Sequence, residues 1–195
     1  MSGYPDSKRY LVDGSKLPAL FPTQAHDPKF WEYLGRTIAT FGFLEEVLGK
    51  AIFAFTATKP YDQHEAEEAL RKWHEILERA LTDPLSSLIN AYSSAVRDHP
   101  KKTIENLDEL IASLKSAARI RNVLCHGSWR MPDESGRSLP FFVNRKREKF
   151  DTPIDVAFLE QTQRAVAEMA SVIVSTVTHM GYRFPGSSGP GTKFW

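Results

Sequence analysis

The chain has 195 residues, 42% hydrophobic and 25% charged, which is typical of one globular domain large enough to bury a core. Its formal net charge is +1, so attraction to nucleic acid would require a local patch. A single cysteine, Cys125, excludes an internal disulfide and most zinc sites. No run of about 18 apolar residues occurs, and the first residues lack the pattern of a secretory signal. We therefore expect a cytoplasmic protein.

The first long helix is predicted from Asp27-Pro28 to about Thr58. Residues 1–27 are rich in proline and are predicted to form an irregular N-terminal arm. Asp27 is a favourable N-cap, and Pro28 suits the first helical position. The apolar residues of this helix recur every three or four positions, at Leu34, Ile38, Phe41, Leu48, Ile52 and Phe55.

Two further helices are predicted before Pro100. Asp62 and Glu65 resemble a capping box for the second helix. Asp83-Pro84 opens the third by the same rule that applies to the first. The apolar positions are Ala66, Leu70, Trp73, Leu77 and Leu81 in the second helix, and Leu85, Leu88, Ile89, Tyr92 and Val96 in the third.

A fourth helix is predicted from about Thr103 to Cys125, with Gly127 as its stop. A fifth is predicted from Thr152-Pro153 to about Met180. Their apolar stripes are Leu107, Leu110, Ile111, Leu114 and Ala118 in the fourth helix, and Val156, Leu159, Val166, Met169, Ile173 and Val177 in the fifth.

The segment between these two helices, about residues 128–150, has two β-prone runs around the turn cluster of residues 132–136 and predicts a β-hairpin. Residues 184–195 have the Gly, Ser and Pro content of a flexible tail. The predicted fold is therefore all-α. It is an antiparallel bundle of about five helices over residues 28–183, with the β-hairpin inserted before the last helix.

Two charged residues occupy positions where the apolar stripes would continue. Glu45 interrupts the stripe of the first helix, and Arg121 interrupts that of the fourth. A charge removed from water is costly unless it is paired, so one interpretation is that Glu45 and Arg121 meet across packed helices. The alternative is that each lies at the margin of its stripe and reaches water.

Three glycines, Gly35, Gly42 and Gly49, recur every seven residues on the first helix. Each lowers helix stability by about 1 kcal/mol relative to alanine. A row of missing side chains would let another backbone approach closely, either from the fourth helix or from a second subunit. The alternative is that the three glycines are unrelated.

A polar stripe follows the fourth helix, one step around from its apolar face. It comprises Lys115, Arg119, Asn122 and His126, at spacings of four, three and four. It would expose an imidazole at the helix end with an arginine and an amide beside it. The alternative for His126 is a capping role, in which its side chain bonds the last carbonyls of its own helix.

The sequence Arg-Asn-Val-Leu-Cys-His-Gly at residues 121–127 ends this predicted helix and resembles the Arg-x(4–6)-His signature of the HEPN superfamily. The segment Phe-Leu-Glu-Glu-Val-Leu at residues 43–48 is similar to an acidic first-helix segment common in that superfamily. The resemblance covers roughly residues 30–180. It implies an antiparallel helical bundle with the signature late in a core helix.

The resemblance also implies a metal-independent ribonuclease without a cofactor, acting on RNA in toxin–antitoxin or antiviral defence, with an antitoxin or defence-system protein as partner. By position, Arg121, Asn122 and His126 are the catalytic residues and Glu45 supports them. Arg119 also satisfies the looser spacing, so the working arginine is open between Arg119 and Arg121. Such proteins form homodimers in which two motifs share one cleft. On a straight helix Arg121 and His126 stand ~140° apart, which also favours a site made by two chains.

The densest basic cluster of the chain lies on the predicted hairpin and is a candidate surface for RNA. It comprises Arg130, Arg137, Arg145, Lys146, Arg147 and Lys149, of which all but Arg137 are the RNA-binding candidates. The aromatic residues Trp129, Phe141 and Phe142 add the stacking surface that single strands use. The alternative is an ordinary solvated hairpin whose aromatic residues face the core.

Other chemistries have weaker signals. No HExxH, CxxC, P-loop or GxGxxG motif occurs, and the histidines lack metal-ligand spacing, so no metal site is expected. Cys125 falls on the apolar stripe and is expected in the core. The alternative function is a non-catalytic HEPN-like module that binds a partner protein or nucleic acid, in which Glu45 and Arg121 serve only the structure.

Overall fold

The computed structural model describes residues 10–60, 67–68, 71, 84–101 and 104–188. Within these residues the fold is all-α, and the predicted helical bundle is confirmed. It contains four α-helices and one short 3-10 turn, which are the 3-10 turn Gly14–Lys16, α1 (Pro28–Ala57), α2 (Leu85–Asp98), α3 (Leu107–His126) and α4 (Val156–His179).

The second helix predicted from the sequence, about residues 62–81, lies mostly outside the described residues. Residues 67, 68 and 71, which are described, are helical. The structure therefore describes four long helices, and the fifth member of the predicted bundle stays a prediction.

Helix α1 is the centre of the bundle, because it packs most extensively against α4 and also contacts α2 and α3. Its start is the predicted one. The carboxylate of Asp27 accepts a hydrogen bond from the backbone N–H of Lys29 at 2.7 Å, and Pro28 occupies the first helical position. The predicted apolar stripe is buried in the core, except that Ile38 is only partly buried.

Buried hydroxyl groups join the helices inside this apolar core. The hydroxyl of Thr37 on α1 lies 3.1 Å from the carbonyl oxygen of Leu159 on α4. The hydroxyl groups of Tyr92 on α2 and Thr176 on α4 lie 2.9 Å apart. These contacts give buried polar atoms a partner and hold the helices in one register.

The predicted start of the last helix at Thr152-Pro153 is wrong. Helix α4 begins at Val156, where the carboxylate of Asp155 accepts a hydrogen bond from the backbone N–H of Phe158 at 2.7 Å. The physical reason is that Ile154 exchanges two backbone hydrogen bonds with Ser138, which keeps the chain extended up to Asp155.

The predicted β-hairpin does not form paired strands. Residues 127–155 are all described, and they contain three isolated antiparallel bridges, at Ser128 with Phe141, Ser138 with Ile154, and Val143 with Lys149. Pro140 lies within the second predicted run and lacks a backbone N–H, so a continuous ladder of hydrogen bonds is interrupted there. We call residues 127–155 the connecting segment.

The chain continues to pack after α4. Phe184, at the start of the predicted flexible tail, is buried in the core, so packing extends at least this far. Among the described helices, none combines the length and the apolar character that a membrane span requires.

Candidate functional site

The motif predicted from the sequence occupies the last two turns of α3. Val123 and Leu124 point into the core, whereas Asn122 and His126 are exposed. The helix continues through His126 and ends there, so the imidazole lies at the C-terminal edge of α3. The motif therefore combines two packing residues with polar residues that solvent reaches.

Arg121 forms the ion pair with Glu45 that was one of the two interpretations of these residues. A guanidinium nitrogen of Arg121 lies 3.5 Å from a carboxylate oxygen of Glu45 on α1. The side chains are 30% and 28% exposed, so the pair lies at the margin of the α1–α3 interface. Glu45 and Arg121 therefore meet across the helices, as the first interpretation holds, and lie at the margins of their apolar stripes, as the second holds. A pair with this exposure contributes at most about 1 kcal/mol to stability.

The imidazole of His126 forms no hydrogen bond or ion pair with any residue that the structure describes. The end of α3 is capped by the backbone instead, since the N–H of Gly127 donates to the carbonyl of Val123 at 2.8 Å. The His126 side chain therefore does not cap its own helix, and this alternative is wrong. Both ring nitrogens of His126 are left to contact solvent or a ligand.

Gly127 ends the helix for a reason that differs from the predicted one. Its φ is −69°, which any residue adopts, so a left-handed turn does not explain the glycine. A Cβ at this position would lie 2.6 Å from the carbonyl oxygen of Val123 and 2.9 Å from Cβ of Pro140. The chain then forms a two-bond bridge between Ser128 and Phe141. Close approach of the connecting segment to the end of α3 requires the missing side chain.

A groove of about 200 Å³ lies between α3 and the connecting segment. Arg119 and Asn122 line it from α3, and Lys149 lines it from the other side. Its remaining lining residues are Val123, Phe142, Asn144, Glu148 and Phe150. We call it the α3 groove. Arg119 and Asn122 of the polar stripe therefore face Lys149 of the basic cluster, whereas Arg121 is turned toward Glu45 on α1.

The basic cluster is presented by a loop that the Asn144 side chain organises. Its amide oxygen accepts hydrogen bonds from the backbone N–H groups of Lys146 and Glu148 at 2.9 and 3.0 Å. Arg147 has a φ of 64°, in the left-handed region that L residues rarely adopt. Four basic side chains of this loop are exposed and form no ion pair with described residues, namely Arg145, Lys146, Arg147 and Lys149.

Arg130 and the aromatic residues of the predicted RNA surface have different roles. The guanidinium of Arg130 lies over the exposed ring of Phe141, 5.2 Å from its centroid. Trp129 packs instead in a cluster with Phe30, Trp31 and His26, at centroid distances of 5.0, 6.3 and 6.4 Å. The alternative of core-facing aromatic residues is therefore correct for Trp129.

The prediction that Cys125 lies in the core is wrong, because its side chain is exposed. Arg121, one turn earlier on the same stripe, is already only partly buried, so the stripe leaves the core before it reaches position 125. Packing in this turn falls on Leu124 and Val123, one and two positions earlier.

Two of the three glycines of the row on α1 have open space beside them. Gly35 and Gly42 are exposed, and a Cβ on either would have no described atom within 4 Å. These two glycines therefore do not serve a close approach of α3, the predicted fourth helix, which was the first of the two proposed neighbours. A second subunit stays a prediction.

Sequence reasoning missed part of the α3 groove. Asn144 and Glu148 flank the basic run, and an Asn followed by three exposed polar residues is a turn signal that could have indicated an ordered loop. Phe150 carried no such signal. Elsewhere, the described residues contain no group of three or more His, Cys, Asp or Glu side chains close enough to hold a metal ion.

Comparison with known proteins gives no assignment. No protein-family model, no curated protein and no solved structure matches the chain. The inference of function therefore depends on the residues and their geometry.

Proposed function

We propose that the chain is a metal-independent endoribonuclease of the HEPN type that acts in the cytoplasm as a homodimer, in toxin–antitoxin or antiviral defence. The observation that carries the proposal is the Arg-Asn-x-x-x-His-Gly motif at the end of a helix in an all-α bundle, with its His126 imidazole exposed and unpaired among the described residues. An antitoxin or another defence-system protein is the proposed regulatory partner.

The chemistry needs an acid, a base and a cation. In RNA cleavage the 2′-oxygen attacks the adjacent phosphorus, and the bond from phosphorus to the 5′-oxygen breaks. The base takes the 2′-hydroxyl proton and the acid gives a proton to the leaving 5′-oxygen. The products are a 2′,3′-cyclic phosphate and a 5′-hydroxyl. Histidine can serve as either acid or base, and a guanidinium can neutralise charge on the phosphate oxygens.

A single chain offers one motif histidine, so the proposal places two motifs in one cleft. His126 of one protomer then acts as base and His126 of its partner acts as acid. The ion pair with Glu45 orients Arg121, and the guanidinium still has N–H donors to offer because the pair is partly exposed. Asn122 precedes His126 by about one helical turn and can orient the substrate beside it.

A non-catalytic HEPN-like module is the second candidate. The observation that favours it is the ion pair between Arg121 and Glu45. If this pair serves only to hold α1 against α3, the presence of Arg121 is explained without a role in catalysis. This candidate binds a partner protein or nucleic acid through the same exposed face and leaves RNA intact.

The direct test is cleavage of single-stranded RNA by the wild-type protein and by His126→Ala, in excess chelator. We expect cleavage by the wild type, 2′,3′-cyclic phosphate ends in the products, and a loss of at least about 100-fold in His126→Ala. His179→Ala is the matched control, since His179 is also the exposed last residue of a helix. Equal activity in all three proteins would point to a contaminating nuclease. No cleavage of varied RNAs by the wild type would favour the non-catalytic module.

A further inference from the structure

We propose that the α3 groove binds single-stranded RNA, with Arg119 and Lys149 holding its phosphates and with Phe142 and Phe150 receiving a base. This inference deepens the proposed function and rests on it for the choice of RNA as ligand. It assigns Arg119 to substrate binding and separates it from Arg121.

The first argument is the absence of acidic partners for the groove cations. Arg119 and Lys149 lie on opposite sides of the groove, and neither forms an ion pair with a described residue. Several exposed cations elsewhere in the protein do have carboxylate partners, in the pairs Arg36 with Glu32, Lys50 with Glu46, Arg137 with Asp133, and Arg164 with Glu160. Two unpaired cations that face each other form a site for an anion.

The one carboxylate in the groove is already engaged. The side-chain amide of Asn144 donates a hydrogen bond to an oxygen of Glu148 at 2.6 Å. This neutral donor leaves the charge of Glu148 in place, so the lining carries two cations against one carboxylate, a net charge of +1. Arg145, Lys146 and Arg147 continue the positive surface along the loop, so the surface suits a ligand with several negative charges in a row.

The second argument is the apolar side of the groove. Phe142 and Phe150 pack against the core and also line the groove. The volume of about 200 Å³ is smaller than the roughly 300–1,000 Å³ of pockets for drug-sized ligands, so it suits one base and its phosphate better than a whole cofactor. Bases in a duplex are stacked and paired, so an aromatic surface of this kind favours a single strand.

The third argument is continuity with the motif. Asn122 lines the groove and precedes His126 by about one turn, and Arg119 lies about 10 Å from His126 along the helix axis. A strand held in the groove therefore runs along α3 toward the imidazole.

The test measures binding separately from cleavage. The probe is a fluorescein-labelled single-stranded RNA of ten nucleotides with 2′-O-methyl groups, which cannot be cut by its own 2′-oxygens. Fluorescence anisotropy is followed across a series of salt concentrations. We expect Arg119→Gln/Lys149→Gln to bind about tenfold more weakly than wild type and to lower the slope of log affinity against log salt by about 1.4, as expected for two lost phosphate contacts.

The matched control removes the same charge elsewhere. Lys59→Gln/Arg183→Gln changes two exposed cations that do not line the groove, and we expect wild-type affinity. An oligonucleotide of abasic sugars keeps the phosphates and lacks the bases, so wild type should bind it several-fold more weakly. Equal losses in both double variants, or tighter binding of duplex RNA than of the single strand, would overturn the inference.

Failure of the inference can be told from failure of the proposed function. If the wild type binds the probe through Arg119 and Lys149 but never cuts natural RNA, RNA binding in the α3 groove is supported and the nuclease function is rejected. If the wild type cuts RNA with His126 while both double variants bind the probe equally, the nuclease function is supported and RNA binding in the α3 groove is rejected.

Discussion

Gly127 lies so close to Pro140 that a Cβ added to Gly127 would be 2.9 Å from the Cβ of Pro140. This contact joins the end of α3, where the motif lies, to the connecting segment that carries the basic loop. The absence of one side chain thus keeps His126 and the α3 groove on adjoining surfaces.

Gly127→Ala is expected to lower the free energy of unfolding by about 1–3 kcal/mol, because a well-packed contact must open to admit the new methyl group. The φ of −69° is normal for alanine, so the loss would come from crowding alone. Urea unfolding of this variant would be compared with that of Gly42→Ala. Gly42 lies in open space inside a helix, and its change to alanine is expected to stabilise by about 1 kcal/mol. A Gly127→Ala protein with the wild-type midpoint would contradict the crowding argument.

The parts of the fold that depend on periodicity could be predicted from the sequence. Apolar spacing locates the described helices, and the charges that interrupt it, Glu45 and Arg121, do meet. The α3 groove could not be predicted, because Lys149 comes to line the same groove as Arg119 only through the path of the connecting segment. This segment has no regular period, and its isolated bridges follow from prolines and side-chain hydrogen bonds.

Tyr92→Phe tests the hydroxyl contact between α2 and α4. The Tyr92 hydroxyl is 2.9 Å from that of Thr176, and the Thr176 hydroxyl also lies 2.6 Å from the carbonyl oxygen of Ile173. Thr176 therefore keeps a partner in the variant, and we expect a loss of about 1 kcal/mol in urea unfolding near pH 7. Thr176→Val in the same assay is expected to cost more, since it leaves the buried Tyr92 hydroxyl without this partner. The reverse order would contradict the assignment.

The same variant has a predicted effect on alkaline unfolding. Burial raises the pKa of Tyr92 to about 12, above the ordinary value of 10.0. The folded protein therefore keeps this proton when the unfolded chain has lost it, so stability falls as pH rises above about 10. In Tyr92→Phe the loss of stability between pH 10 and 12 should be smaller than in wild type. Parallel loss in the two proteins would show that other groups control the alkaline transition.

His26 is expected to make stability depend on pH near neutrality. Its ring is buried against Phe30, Trp31 and Trp129, and neither ring nitrogen has a hydrogen-bond partner among the described residues. Burial lowers the pKa of His26 below its ordinary value of 6.5. The unfolded chain therefore binds a proton that the folded chain does not, so stability is full above about pH 6.5 and falls as the pH decreases below it.

Urea unfolding of wild type and His26→Phe between pH 5 and 7.5 would measure this effect. Phenylalanine keeps an aromatic ring in the cluster and cannot titrate, so the variant should lose less stability on acidification than wild type. The opposite result, in which wild type gains stability relative to the variant as the pH falls, would mean that the aromatic rings stabilise the protonated imidazole.

Mixed dimers test whether the proposed catalytic site is made by two chains. His126→Ala is expected to cut RNA poorly, because its dimers lack both the proposed base and the proposed acid. When wild type is mixed and exchanged with an excess of His126→Ala, most wild-type chains enter hybrid dimers, whose shared cleft contains one His126 where the proposed reaction uses two. We expect RNA cleavage per mole of wild-type chain, measured under chelator, to fall well below that of wild type alone. A site contained in one chain would keep this activity unchanged, since every wild-type chain in the mixture has all of its own residues. The same mixture measured without exchange, and wild type exchanged with His179→Ala, control for competition for substrate and for the exchange procedure.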